Sequence, residues 1–433
     1  MERKNKKKLV SPLLSIFVFL VGIAVCIPAV YNLLQNSLFP IHDDTQAVRV
    51  YEMSKSLNDG MFPVRWVEDL GYGYGYPIFN FYAPLAYYVG ALFVVLGQSV
   101  VASTLAMFVI GSILAFVTMF LFIRNILGLV PAVVSGVLYM YFPYHAVNIY
   151  VRGAVGEYYA YAFLPLVFWG LTKLFLNFQT KTRIDAQYKW IILTGVSFAL
   201  IAISHNLTLF VLCLFLVSFF IFAQIKSLNK KDFFIVVLFS ATLGFLLSSF
   251  YILPVFFESK FTNVASQVGG GADFPDHFVC LRQLYDSPWG FGGSIPGCSD
   301  GLSFKIGKIN IFLGLASFIL FLWFKFRKKN NSLLYIEIVF YTLLFLSIFL
   351  MLSPSKIIWN TIPAMEFLQY PWRMLNFVGL FLSIIVGFFI YKINLYSKPI
   401  SLFVACFSIV LIIFFNAPLF RPASFGDPPA LPI

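Results

Sequence analysis

The chain has 433 residues, 60% of them hydrophobic and only 11% charged, with a mean hydropathy of +0.87. Soluble globular domains carry roughly 25% charge, so a water-soluble globule is excluded. The formal net charge of +12 does not indicate a nucleic-acid partner, because basic residues in a membrane chain report topology through the short loops that hold them.

Apolar runs fall near 13–34, 79–96, 100–123, 127–142, 159–176, 190–204, 207–225, 233–253, 309–324, 333–352, 375–390 and 400–415. Most approach the ~20 residues that a helix needs to cross a hydrocarbon layer of roughly 30 Å. The N-terminal MERKNKKK resembles the charged start of a signal peptide, but no small-residue cleavage site comes after it. It therefore reads as the cytoplasmic end of a retained first helix.

If every run crossed, the basic clusters at Arg124, Lys173–Lys189, Lys226–Lys231, Lys325–Lys329 and Lys392–Lys398 would face away from the N-terminal cluster, against the positive-inside rule. One run must stay on one side. The best candidate is 79–96, FNFYAPLAYYVGALFVVL, which is short, aromatic and preceded by Pro77, with Pro84 inside it. Such a segment suits an interfacial or re-entrant helix. The expected architecture is an all-α polytopic membrane protein with about eleven transmembrane helices plus that one helix, forming a single membrane domain over 1–433. The cytoplasmic segments then hold 19 of the 30 basic residues against three acids, Glu2, Asp185 and Asp232. That distribution predicts a multi-pass protein of the cell membrane with a cytoplasmic N-terminus.

All substantial polar loops are then external: 35–78, which with the juxtamembrane helix makes a first loop of 35–99, then 143–158, 254–308 and 353–374. The 254–308 loop is too rich in glycine for long helices and predicts a packed lid or small subdomain. Its Cys280 and Cys298 are the one cysteine pair in a shared polar loop and are candidates for a disulfide. The C-terminal stretch RPASFGDPPALPI is expected to lie outside, as an external part that is short or truncated.

Candidate chemistry concentrates at residues 40–84. Asp43 and Asp44, just past the first membrane helix, suit a general base or ligands of a divalent cation such as Mg or Mn, and equally suit helix capping. External arginines stand at Arg49, Arg65, Arg152, Arg282 and Arg373. A guanidinium at a membrane end can grip a lipid phosphate bidentately; the alternative is snorkelling or pairing with Glu157 and Glu366. The four histidines lack metal-ligand spacing, and no phosphate loop or nucleophile elbow is present. Glu337 lies inside an apolar run, as a functional acid or simply near the cytoplasmic end.

Taken together, HDD at 42–44 with Arg49, the large external loop and the juxtamembrane helix resemble the GT-C superfamily of integral-membrane glycosyltransferases. The pieces HDDTQAVR, LNDGMFPVRW, GYGYPIFNFYAPLAYY, VRGAVGE, SHNLT, WGFGGS…DGLSFKIG and LQYPWRM are similar to prokaryotic membrane proteins labelled 6-pyruvoyl-tetrahydropterin synthase related. The superfamily resemblance implies transfer of a sugar, with inversion, from a polyprenyl-phosphate-linked donor to an acceptor on the extracytoplasmic face, the acceptor being a glycan, lipid or protein. It implies Asp43, Asp44 and Glu157 as catalytic candidates, Asp43 and Asp44 as metal candidates, and His42, Arg49, Arg65, Arg152, His205 and Arg373 as substrate-binding candidates. The competing readings are a transporter or flippase, for which Glu337 is the main mid-membrane charge, and a noncatalytic assembly protein for cell-surface glycans.

Overall fold

The computed structural model describes residues 12–179, 183–263, 272–327 and 332–425, and among these the regular structure is helical, joined by irregular loops that hold two isolated antiparallel bridges, Val67–Tyr76 and Phe291–Leu302. In chain order the helices are α1 (Pro12–Val25), α2 (Ile27–Val30), α3 (Gln46–Asn58), α4 (Ile78–Phe81), α5 (Leu85–Val95), α6 (Val100–Leu127), α7 (Leu129–Met140), α8 (Pro143–Val147), α9 (Val155–Asn177), α10 (Tyr188–Ala202), α11 (Asn206–Lys226) and α12 (Lys230–Glu258). They continue with α13 (Leu281–Tyr285), α14 (Lys308–Arg327), α15 (Ser332–Leu350), α16 (Lys356–Thr361), α17 (Leu375–Tyr396) and α18 (Lys398–Asn416). The basic N-terminal cluster, Lys181, Lys328, Lys329, the glycines at 269–271 and the tail from 426 lie outside the described residues.

Eight helices are long and apolar enough to cross a bilayer, and the bent pairs of α1 with α2 and of α7 with α8 raise the number to ten among the described residues. The expected eleven is not reached by this measure. The run at 190–204 forms α10, whose 15 residues span about 22 Å, short of the roughly 30 Å hydrocarbon layer. The buried polar residues Gln187 and Ser204 bound it.

Residues 79–96 form no spanning helix. Tyr82 is extended (φ −100°, ψ 122°), and Pro84 disfavours helical geometry at the residue before it. The chain then forms α5, 11 residues or about 16 Å long, too short to cross. Gly97, at φ +91°, closes it, and Ser99 Oγ then caps α6 by accepting from Ala102 N at 3.2 Å.

The innermost spans are α17 and α9, with 89% and 78% of an 18-residue stretch buried in protein, whereas α12 and α18 bury only 28% and present most of their surface outward. Tyrosine hydroxyls stitch α9 to α6 and α7. Tyr139 and Tyr161 stack at 3.9 Å between ring centres and each donates to the other's backbone carbonyl, at 2.6 and 2.8 Å. Tyr158 and Tyr159 donate to the carbonyls of Phe108 and Met107 at 2.6 and 2.8 Å. In a medium without water each hydroxyl needs such a partner, so these bonds fix register as well as packing. Gly111 allows the approach, since a Cβ there would meet the Tyr158 ring at 2.2 Å. Glu337 is buried and paired with Lys392 at 2.5 Å, joining α15 to the last turns of α17.

Candidate active site

The acidic motif ahead of α3 is suspended from the chain that leads into α9. His42 N donates to Val151 O at 3.0 Å and Asp43 N to Arg152 O at 2.9 Å. At the start of α3, Gln46 Nε2 donates to Gly153 O at 2.7 Å. Gly153 adopts φ +64°, and a Cβ there would come within 2.4 Å of Ile41 Cδ1. The VRG sequence therefore has its glycine where the backbone turns left-handed and Ile41 closes over it.

Behind this junction Glu157, in the first turn of α9, is buried and fully engaged. Its Oε1 accepts from Tyr144 Oη and from Asn376 Nδ2, both at 2.7 Å. Its Oε2 lies 2.8 Å from Arg152 Nη1 and 4.0 Å from Arg373 Nε. The same Arg152 Nη1 reaches Tyr144 Oη at 2.8 Å and Asn148 Oδ1 at 2.7 Å, and its guanidinium lies 4.8 Å from the centre of the Trp372 ring. Arg373 is held less completely. At 4.0 Å its Nε is an electrostatic partner of Glu157 but too far for a hydrogen bond, and its Nε and Nη1 are buried without any acceptor.

The third cation comes from α3 and is held by the juxtamembrane helix α5. Arg49 Nη1 donates to Tyr87 Oη at 3.2 Å, its guanidinium stands 4.3 Å above the Tyr82 ring, and its buried Nε has no partner. Tyr87 in turn donates to Gln46 Oε1 at 2.6 Å, so the side chain that ties α3 to Gly153 also orients Arg49.

Asp43 lies within electrostatic reach of this cluster from a solvent-open position. Partial desolvation of its carboxyl raises its pKa above the ordinary aspartate value, and the charges of Arg152, Arg49, Arg373 and His42, in that order, oppose the rise. A raised carboxylate pKa moves a base toward the pH at which it works. The roof is the lid segment 272–307. Phe291 O lies 3.0 Å from His42 Nε2, Ser294 Oγ accepts from Trp372 Nε1 at 3.1 Å, and Phe304 packs on Trp372 at 5.9 Å. Cys280 and Cys298 are joined in a disulfide with Cα atoms 5.6 Å apart. Asp300 braces the lid from within by accepting from Gln283 at 3.0 Å and Ser287 at 2.7 Å, and Arg282 joins this brace at 3.8 Å from Asp300.

The structure thus gathers Asp43, Arg49, Arg152, Glu157 and Arg373, with His42 at the edge. His205 stands behind them as the N-cap of α11, its Nδ1 on Thr208. Burial pushes its pKa down to about 3 against the pull of Glu157, which leaves a neutral ring. Two expected residues lie elsewhere. Arg65 turns to α12, donating to Phe250 O at 3.2 Å and lining a groove with Leu253, Phe257 and Glu258. Asp44 lines an apolar cleft of about 180 Å³ with Phe39, Ile41, Leu105 and Phe108. Among the described residues no three Asp, Glu, His or Cys side chains come together as metal ligands. Sequence reasoning missed Gln46, Tyr87, Tyr144, Asn148, Trp372 and Asn376. Gln46, Tyr87 and Trp372 lay inside the quoted pieces HDDTQAVR, GYGYPIFNFYAPLAYY and LQYPWRM without being singled out, and Tyr144, Asn148 and Asn376 lay just outside the noted motifs.

Residues 79–270 match the family model described as a 6-pyruvoyl-tetrahydropterin synthase related domain, a membrane protein. No curated protein matches the chain. Among solved structures, the Archaeoglobus fulgidus oligosaccharyltransferase in its apo form is similar with a TM-score of 0.60 at 11% identity, over 97% of this chain and 57% of that one. The archaeal oligosaccharyltransferase AglB from the same organism, in complex with an inhibitory peptide and a dolichol-phosphate, gives 0.59 at 11% over 96% and 56%. ArnT from Cupriavidus metallidurans bound to undecaprenyl phosphate gives 0.55 at 12% over 94% and 64%. At such identities the likeness establishes the fold, which is GT-C-like. The chain spans between 56% and 64% of the length of these structures.

Proposed function

We propose that this membrane protein of GT-C-like fold transfers a sugar from a polyprenyl-phosphate-linked donor to an acceptor hydroxyl or amine at the extracytoplasmic face, with inversion. The observation that carries the reading is the convergence of three arginines on one carboxylate beside the membrane, two of them with buried N–H groups that have no acceptor in the protein. Buried, unpaired guanidinium donors are costly unless a ligand completes them, and a phosphate matches their fork.

In the proposed step Asp43 takes the proton from the acceptor as its heteroatom attacks the anomeric carbon. The bond from that carbon to the phosphate oxygen breaks on the opposite face, and its electron pair stays on the leaving phosphate. Arg49 and Arg373 receive the developing charge, and Arg152, held by Glu157, Tyr144 and Asn148, supplies the third cation. Glu157 is a positioning residue in this account, since both of its oxygens are already engaged. No step is routed through a metal. The apolar α5 and the outward faces of the spans keep the polyprenyl chain in lipid while its phosphate reaches the arginines. By the positive-inside distribution the site faces the outside of the cell membrane, with the N-terminus in the cytoplasm.

The transporter reading loses its main residue, because Glu337 is ion-paired with Lys392 rather than free to carry a substrate or proton. Incubation of the purified protein with radiolabelled polyprenyl-phosphate sugars tests the proposal. Loss of donor is expected in the wild type, and full retention of every donor in the presence of mixed cell-envelope acceptors would contradict it.

A further inference from the structure

The cluster carries a definite charge balance. Arg49, Arg152 and Arg373 contribute three positive charges, and Asp43 and Glu157 two negative ones; all three arginines act on Asp43, and Arg152 and Arg373 also stand 2.8 and 4.0 Å from Glu157. With the His42 ring left out of the count, the net is one positive charge. Lys305 of the lid does not add to it, because its electrostatic neighbours are Asp286 and Lys308, the latter itself paired with Asp286 at 3.0 Å. Arg65 bonds to Phe250 on α12, and Asp44 lines the neighbouring apolar cleft.

Resting on the glycosyltransferase reading, we infer that the donor class this site selects is a monophosphate, a sugar on a polyprenyl phosphodiester with a single negative charge, and not a pyrophosphate. With that donor bound, site and ligand sum to zero. The balance holds through the reaction. When the bond from the anomeric carbon to oxygen breaks, the phosphodiester becomes a monoester and gains one negative charge, while Asp43 accepts the acceptor's proton and loses one. Three arginines against Glu157 alone then leave two positive charges, which match the doubly charged polyprenyl phosphate. The base and the phosphate site are thus coupled: proton uptake by Asp43 releases one unit of cationic field to the leaving group. A pyrophosphate diester carries one more negative charge in both states, which the site's own charges leave uncompensated. The unpaired buried donors are also few, Nε and Nη1 of Arg373 and Nε of Arg49. That set suits the oxygens of one phosphate rather than two.

The test uses two probes without sugar, farnesyl methyl phosphate with one negative charge and the P1,P2-farnesyl methyl pyrophosphate diester with two. Binding to the full-length protein in detergent is measured at pH 8 with EDTA, where an ordinary imidazole is neutral. The wild type should prefer the singly charged probe by about tenfold or more. Asp43→Asn, which raises the net charge of the site by one, should reverse or abolish that preference. Arg49→Gln on α3 should weaken both probes and serves if Asp43→Asn fails to fold. Equal or tighter binding of the pyrophosphate probe by the wild type would overturn the inference and leave the glycosyltransferase reading standing. Failure of the wild type to bind either probe would remove both.

Discussion

At the scale of single residues, Asp43 and Glu157 are both acids beside the same arginines, and their surroundings give them different work. Asp43 is open on one side, and partial desolvation lifts its pKa above the usual ~3.9. Transfer that needs the ionised carboxylate should fall as pH drops through this raised value, placing the acid limb of kcat/KM above that of an ordinary aspartate. The stability contribution has the opposite sign: it is present below the unfolded pKa and lost as pH rises through the folded one. Asp43→Asn should therefore keep or raise Tm at neutral pH while activity collapses, and a clear loss of Tm would mean the residue is structural. Glu157→Gln should behave differently, because it leaves Arg152 buried without its counter-charge, a change that costs about 3–5 kcal/mol in comparable buried pairs. Combining it with Arg152→Gln should cost less than the sum of the single changes in a thermal-unfolding cycle, and strict additivity would contradict the pairing. Arg373→Lys keeps the charge but loses Nε and one arm of the fork, so the donor KM should rise severalfold with expression unchanged.

Among the elements, the junction between the acidic motif and the start of α9 decides whether the site forms. Gly153→Ala places a Cβ at φ +64° against Ile41, which should loosen the backbone bonds from His42 and Asp43 to residues 151 and 152. Donor binding should weaken by about tenfold, with a modest loss of stability of roughly 1–3 kcal/mol. Wild-type donor binding in this variant would show that the junction does not position the site. Paired Cys280→Ser and Cys298→Ser changes should lower the temperature at which the lid resists protease before they affect the spans; unchanged protection would mean that the Asp300 brace suffices. Much of this layer was legible beforehand. Residues 79–96 read as non-spanning from Pro84, their aromatics and charge parity, and HDD, VRGAVGE and PWRM were recognisable as pieces of a site. Their assembly could not be read. Adjacent Asp43 and Asp44 look alike in sequence, yet Asp43 feels the arginines and has its N–H bonded to the Arg152 carbonyl, whereas Asp44 lines the neighbouring apolar cleft. Arg65 and Arg373 were equivalent external arginines until α12 claimed one and the turn before α17 brought the other to Glu157. Tyr144, Asn148 and Asn376 sat unremarked in apolar surroundings, because a polar residue that satisfies a partner across helices leaves no periodic signal.

For the molecule as a whole, the spans place every catalytic candidate at one end of the helical bundle and the Glu337–Lys392 pair near the other. The expected orientation rests on the basic clusters, with the arginine site outside. Single-cysteine labelling of intact cells, in a background lacking Cys26, Cys213 and Cys406, should modify a cysteine placed at Asp59 and spare one at Asn229 until the cells are permeabilised. The reverse pattern would put the site in the cytoplasm and remove the extracytoplasmic reading. The central claim remains that a polyprenyl monophosphate sugar is consumed here with Asp43 as base. Its most direct measurement is the rate of donor loss from a panel of radiolabelled polyprenyl-phosphate sugars by wild type and Asp43→Asn, reconstituted in lipid with envelope acceptors. The wild type should consume at least one donor and Asp43→Asn should be slower by about 10²- to 10⁴-fold, whereas equal rates in the two proteins would contradict the account.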